Sequence, residues 1–211
     1  MTALADYYDH LLPELPGCLP AMVDLHLRET AREFCSKTSV WRATLAGINL
    51  VGGQGAYTLT GLPSDSVVVR VTSLTVAGVL LWADTLIPQD QVQPKYRRDD
   101  PPFTMSADCT QIILNADEVP TAAIASGLVV TVALQPTVVA TVLPDFLKAS
   151  YLPALRYGTL FRLMRMGSKK PWSDRELSVD YESRWHQELN FAAFQGDVGN
   201  NRKPLRVTKW G

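Results

Sequence analysis

Three histidines, three cysteines and a scatter of carboxylates are the residues of this 211-residue chain with the chemistry to do more than pack. His26 and Glu29 lie one helical turn apart, the spacing at which an imidazole and a carboxylate meet on one face. A zinc site needs further ligands at compatible spacing, and Cys18 and Cys35 form no metal knuckle with this pair. Asp6, Asp9 and His10 cluster near the first residues, where such groups usually serve as caps and solvated charges. Asp99 and Asp100 follow Arg97 and Arg98 and precede two prolines, as expected of a charged loop. The sequence has no phosphate-cradling glycine loop, no GxSxG turn and no HExxH. It therefore predicts no catalytic residue, no metal and no cofactor.

The cysteines, Cys18, Cys35 and Cys109, are odd in number, widely spaced and without a CxxC pair, so no disulfide framework is expected. Small buried thiols in a reducing compartment account for them. A net charge of −1 argues against broad electrostatic capture of nucleic acid but leaves room for a local basic patch. The stretch MTALADYYDHLLPELPG carries acids where a signal peptide carries Lys or Arg. No apolar run reaches the roughly 20 residues of a membrane span, so a soluble intracellular product is expected.

The elements that position these residues follow from periodicity. After the Pro- and Gly-rich LPELPGCLP, Val23, Leu27, Ala31 and Phe34 recur at helical spacing and predict a helix over 20–37, with Pro20 in its first turn. From SVWRATLAGINL onward the pattern changes to short β runs: AYTLT, VVVRVTSLTV, VLLWA, FTMSA, TQIILNA and GLVVTVALQP. Tight turns are expected at Ala77-Gly78 and at Ala107-Asp108, and the close spacing favours antiparallel pairing. The polar QDQVQPKYRRDDPPF reads either as a solvated loop or as a finger (Lys95, Tyr96, Arg97 and Arg98) that reaches a neighbouring subunit or a tail component.

Helical periodicity returns in LPDFLKASYLPALRYGTLFRLMRM, with Leu155, Thr159, Leu163 and Met166 on one face. Pro153 must kink or split this helix, and Gly167 is expected to end it. A second helix is predicted to start under Ser173, with Glu176 completing a capping box, and to bury Leu177, Tyr181, Trp185, Leu189 and Ala192. The fold class is thus α+β. A helical bundle from both chain ends (1–38 and 138–195) receives an inserted antiparallel β-sandwich or small barrel (39–137). The last residues, 196–211, form an extended basic arm in which Trp210 has little of its own chain to bury against.

Several stretches together resemble the head–tail connector, or adaptor, of tailed bacteriophages: HLRETAREFCSKTSVWRATL, PPFTMSADCTQIIL, LPDFLKASYLPALRYGTLFRLMRM, KKPWSDRELSVDYESRWHQEL and PLRVTKWG. The resemblance implies a non-enzymatic virion protein of the phage neck, assembled in the host cytoplasm and without membrane contact. It implies a homo-oligomeric ring, usually of about twelve copies, that joins the portal ring to the tail or nozzle proteins. Genomic DNA would pass through the lumen without sequence-specific binding. On this resemblance Arg202, Lys203, Leu205, Arg206, Lys209 and Trp210 are the residues of an arm that docks on the portal. A tail-tube or nozzle component is the first alternative. The second is a carbohydrate- or peptide-binding module using Tyr57, Trp82, Tyr96 or Phe103.

Overall fold

The structure is a computed structural model that describes residues 1–81, 101–167 and 170–198. The chain mixes helices with antiparallel sheets and divides into two compact units, one built from both ends (Met1–Val40 and residues from Pro144 on) and one from Trp41–Leu143.

The first unit opens with the short strand β1 (Thr2–Ala3) and helix α1 (Tyr8–Leu11). Its frame is three longer helices: α2 (Pro20–Thr38), α3 (Asp145–Met164) and α4 (Arg175–Val198). Pro20 occupies the first turn of α2, where its missing N–H is no loss. The predicted stripe Val23, Leu27, Ala31 and Phe34 is fully buried. Phe34 packs its ring against Tyr151 of α3 and Trp185 of α4, at centroid distances of 5.1 and 5.8 Å.

Pro153 kinks α3 as expected. Tyr151, two residues before it, leaves helical geometry (φ −127°, ψ 20°), because the proline ring crowds the preceding turn and no N–H is available to hold it. Two helix ends differ from expectation. Helix α3 stops at Met164, with Met166 N–H donating back to Leu163, so Gly167 lies beyond the end and does not adopt a left-handed cap. Helix α4 is capped by Asp174, whose carboxylate accepts from Leu177 N–H at 3.0 Å. The Ser173 hydroxyl instead donates to Met164 O at 3.2 Å and ties down the connection. A carboxylate is the better acceptor for helix N–H groups, since its charge also faces the positive end of the helix dipole. The buried stripe also differs from expectation. Ser178 takes the inner position with Tyr181, Trp185, Leu189 and Ala192, while Leu177 is 37% exposed.

Gly158 of α3 sets the spacing of the three helices. A Cβ built there would lie 2.4 Å from Thr30 Cγ2 of α2 and 2.7 Å from Trp185 Cε3 of α4.

The second unit holds two sheets. Strands β2 (Arg42–Leu50), β4 (Ser66–Val76), β5 (Val79–Leu81) and β8 (Ile124–Pro136) form one, in the order β2-β8-β4-β5. Strands β3 (Ala56–Thr58), β6 (Phe103–Met105) and β7 (Gln111–Leu114) form the other, in the order β3-β7-β6. The short strand β9 (Val142–Leu143) closes the unit. Both sheets are open, so the small-barrel alternative does not hold: each ends in edge strands among the described residues. Strand β8 is the central member of the larger sheet, and Leu128, Val130, Val132 and Leu134 alternate along it into the core.

The β4–β5 hairpin turns at Ala77 (φ 50°) and Gly78 (φ 84°), the positive pair that a two-residue turn matched to strand twist requires. The second expected turn is longer than the dipeptide Ala107-Asp108. Ser106 still pairs with Gln111, and the four residues between them turn through a Cys109 N–H to Ser106 O bond. Cys109 sits at φ 57°. Asp108 holds this loop: its carboxylate accepts from the Ser106 and Thr110 hydroxyls at 2.6 and 2.8 Å. Those bonds, Ser106 foremost, hold its pKa at about 2.

Replacing Gly158 with Ala is expected to destabilise the protein by about 1–3 kcal/mol, read from the denaturant midpoint, because overpacking outweighs the roughly 1 kcal/mol of helix propensity gained. The same change at Gly167, with open space around it, is expected to stay within about 0.5 kcal/mol of wild type.

Candidate functional site

The sequence-predicted interface residues, Lys95, Tyr96, Arg97 and Arg98 in the loop and Arg202, Lys203, Leu205, Arg206, Lys209 and Trp210 in the arm, lie outside the described residues. So do Trp82, Asp99 and Asp100. The remaining candidates are placed, and most are committed to structure. His26 Nδ1 lies 3.3 Å from Glu29 Oε2. Burial lowers the His26 pKa, Glu29 opposes that and the Arg162 charge adds to it. Among the described residues no group of three His, Cys, Asp or Glu comes together to hold a metal ion. Asp6 accepts from Ala3 N–H at 3.1 Å and caps the first turn, as a solvated cap would.

The thiols of Cys18 and Cys35 are buried, and burial pushes Cys35 up to about 12, far from the range of a reactive thiolate. Tyr57 and Phe103, offered as parts of a ligand-binding aromatic cluster, are buried in the second unit. The Tyr57 hydroxyl donates to Gln54 O at 2.8 Å and accepts from Val51 N–H at 3.4 Å. Those two rings are therefore spent on the core.

The charged groups that penetrate furthest belong to a network between helices that no sequence motif announces. Arg162 of α3 is mostly buried and donates to Thr30 Oγ1 of α2 at 2.5 Å and to Gly158 O at 3.0 Å. Its other nitrogen pairs with Glu33 of α2, and its guanidinium lies over the Trp185 ring at 5.8 Å. Thr30 in turn donates to His26 O at 2.7 Å. A second tie joins Glu14 to Arg156 of α3 and to the Tyr181 hydroxyl of α4. Burial, then the bond to Glu14, pushes the Tyr181 phenol up to about 12. Both ties link residues more than a hundred positions apart, which no local pattern can signal.

Two exposed apolar groups stand out among the described residues, one on each unit. Helix α4 carries Phe191 and Phe194, 59% and 60% exposed, one turn apart and off the buried stripe. The signal is in the sequence: once Trp185, Leu189 and Ala192 face inward, Phe191 and Phe194 must face outward. The second unit has only six charged residues among those described: Arg42, Asp65, Arg70, Asp108, Asp117 and Glu118. It exposes the neighbours Val138 and Val139 by 61% and 72%. Exposed apolar groups of this size on a lightly charged surface are characteristic of contacts with other proteins.

The class these features fit is a structural protein whose work is done at contacts. Residues 1–207 match the family described as SU10 adaptor protein, and the chain belongs to that family. It is accordingly a phage structural adaptor and a component of the virion, interacting with other head or tail proteins. No curated protein matches the chain. None of the helices among the described residues is long and apolar enough to cross a membrane.

The Arg162–Glu33 pair makes a checkable statement about pH. Burial raises the Glu33 pKa, but the bonds and charges of Lys37 and Arg162 outweigh it and hold the group below the usual Glu value. Its ionisation therefore contributes stability above about pH 4.3 that is lost as pH falls through the lower folded value. Glu33→Gln is expected to cost about 1 kcal/mol at neutral pH, a modest figure because the carboxylate is 32% exposed and screened. The gap from wild type should close in denaturation series carried below about pH 4.

Proposed function

We propose that the protein forms a ring at the phage neck, joining the portal to the tail and letting DNA pass through its lumen. The observation that carries this reading is the adaptor-family match across nearly the whole chain. The exposed apolar side chains of both units support it, since a subunit that completes its surfaces only on assembly must carry them. In this reading the three helices act as a bundle, the two sheets act as a sandwich, and about twelve copies close the ring. Of residues 196–211, the expected arm, the first three belong to helix α4; those beyond it, 199–211, dock on the portal, with Arg202, Lys203, Leu205, Arg206, Lys209 and Trp210 making the contacts. Trp and Arg are the residue types that most often anchor such contacts. The loop residues Lys95, Tyr96, Arg97 and Arg98 reach a neighbouring subunit or the tail. Assembly takes place in the host cytoplasm.

Val138 and Val139, exposed on a second unit whose described residues carry little charge, suit a partner on the tail side. The same observation favours a tail-tube or nozzle component as the second reading.

Native mass of the protein, alone and mixed with the portal ring of the same phage, tests both. A subunit that converts to a defined ring on the portal is the expected result. Rings that form with tail proteins and ignore the portal would move the assignment to the tail. Deleting residues 200–211 is expected to abolish portal docking while leaving circular dichroism unchanged. Undiminished docking would remove the arm from the interface.

A further inference from the structure

The four strands of the larger sheet contain no Asp, no Glu and no aromatic residue, and their only charged residues are Arg42 of β2 and Arg70 of β4. The two are also the only cations among the described residues of the second unit. Pairing brings them together: each lies opposite Ala133 of β8, Arg42 from one side and Arg70 from the other. Directly paired residues point to the same face, and Ala133 alternates with the core residues Val132 and Leu134. All three therefore face away from the core. Both arginines are exposed, and the buried Ala133 is the floor between them.

Arg70 faces this way because of a β-bulge. Val68 pairs with Leu134 and points into the core, so strict alternation would send Arg70 inward too. Val69 is the extra residue at the register shift between them, and it turns Arg70 to the other face. The neighbouring row on that face holds the hydroxyls of Thr44, Thr131 and Ser73, paired across the same strands. Those of Thr44 and Thr131 lie 3.2 Å apart.

We propose that this row is a phosphate contact, the surface through which the second unit meets the backbone of DNA. Neighbouring strands are about 4.8 Å apart, so the two arginine Cα atoms stand about 10 Å apart, with only the methyl group of Ala133 between them. Arginine forks match phosphate oxygens, and Ser and Thr hydroxyls are regular phosphate donors. An acidic protein surface offers the same charge, but such a contact is built around aromatic side chains in desolvated pockets, and these strands have none. A pair of contacts per copy gives weak, sequence-independent binding, which suits DNA in motion. The inference rests on the reading that DNA passes through the ring, and it names a face that the DNA meets.

Binding of the full chain to a short fluorescent duplex of mixed sequence, followed by anisotropy over a salt series, tests it. Each phosphate neutralised adds about −0.9 to the slope of log K against log salt. Arg42→Gln with Arg70→Gln is therefore expected to make the slope shallower by about 1.8, and each single substitution by about half of that. Basic residues elsewhere in the chain contribute equally to wild type and variant and cancel in the difference. Arg42→Lys with Arg70→Lys keeps the charge and is expected to keep the wild-type slope. The exposed positions should leave the denaturation midpoint unchanged in every variant. No binding by the wild type, equal slopes in wild type and the Gln pair, or a Lys pair as shallow as the Gln pair overturns the proposal. A Gln pair that loses binding to poly-Glu and not to the duplex also overturns it, because the row then serves an acidic protein surface. Ring formation on the portal is read separately: a ring with unchanged salt slopes sinks this inference alone, and a changed slope without a ring sinks the ring reading alone.

Discussion

The helical unit depends on one close approach. Trp185 of α4 lies against the backbone of α3 where Gly158 leaves room for it, with Thr30 of α2 pressing from the other side. Glycine in a helix interior costs roughly 1 kcal/mol relative to alanine. Burying an indole of about 200 Å² returns on the order of 5 kcal/mol, an upper figure because the unfolded chain already hides part of that area. Burial of the indole outweighs the helix propensity lost, and that decides the residue. A second approach of the same kind lies near the end of α4, where a Cβ on Gly196 would meet the Thr38 carbonyl oxygen at 2.2 Å. Two glycines on two helices thus fix how near α4 comes to its neighbours.

That closeness explains why charge is tolerated inside. A mostly buried guanidinium must have its donors met: Arg162 finds Gly158 O one turn back on its own helix, and Thr30 Oγ1 and Glu33 within reach because α2 is near. The sheet unit solves its packing differently, with apolar alternation along β8 and only six charged residues among those described. Its turns depend on particular backbone states at Ala77, Gly78 and Cys109, and on the Asp108 carboxylate that ties three loop residues together.

Much of this is legible wherever the determinant is local. The α2 stripe, the Pro153 kink and the Ala77-Gly78 turn each follow from residues within one or two turns of one another. The departures share a cause. Ser173 and Asp174 are both good caps, and choosing between them requires knowing that Met164 O lies within reach of the serine. Leu177 continues a spacing of four and so reads as inward, yet a helix of 3.6 residues per turn drifts off such a series, and Ser178 takes the place. Gly158 is inconspicuous inside RYGTLF, since nothing near it in sequence announces a tryptophan from another helix. Arg162 and Glu14 are inconspicuous for the same reason.

The same drift bears on how an adaptor carries its function. The inner face of α4 takes Trp185, Leu189 and Ala192, so any further aromatic residue on this helix that does not fall with them must point outward. Phe191 and Phe194 do. Fold stability does not require them there; serine or lysine would serve a purely solvated face at lower risk of aggregation. Their presence is not a demand of the core. Functional residues in a protein of this kind are therefore found by asking which large apolar side chains the fold leaves unused, whereas in an enzyme one asks which titratable groups it perturbs. The perturbed groups here, Cys35, Tyr181, Asp108 and Glu33, are each accounted for by burial or by a bond that holds the fold. The unused aromatic pair has no such account.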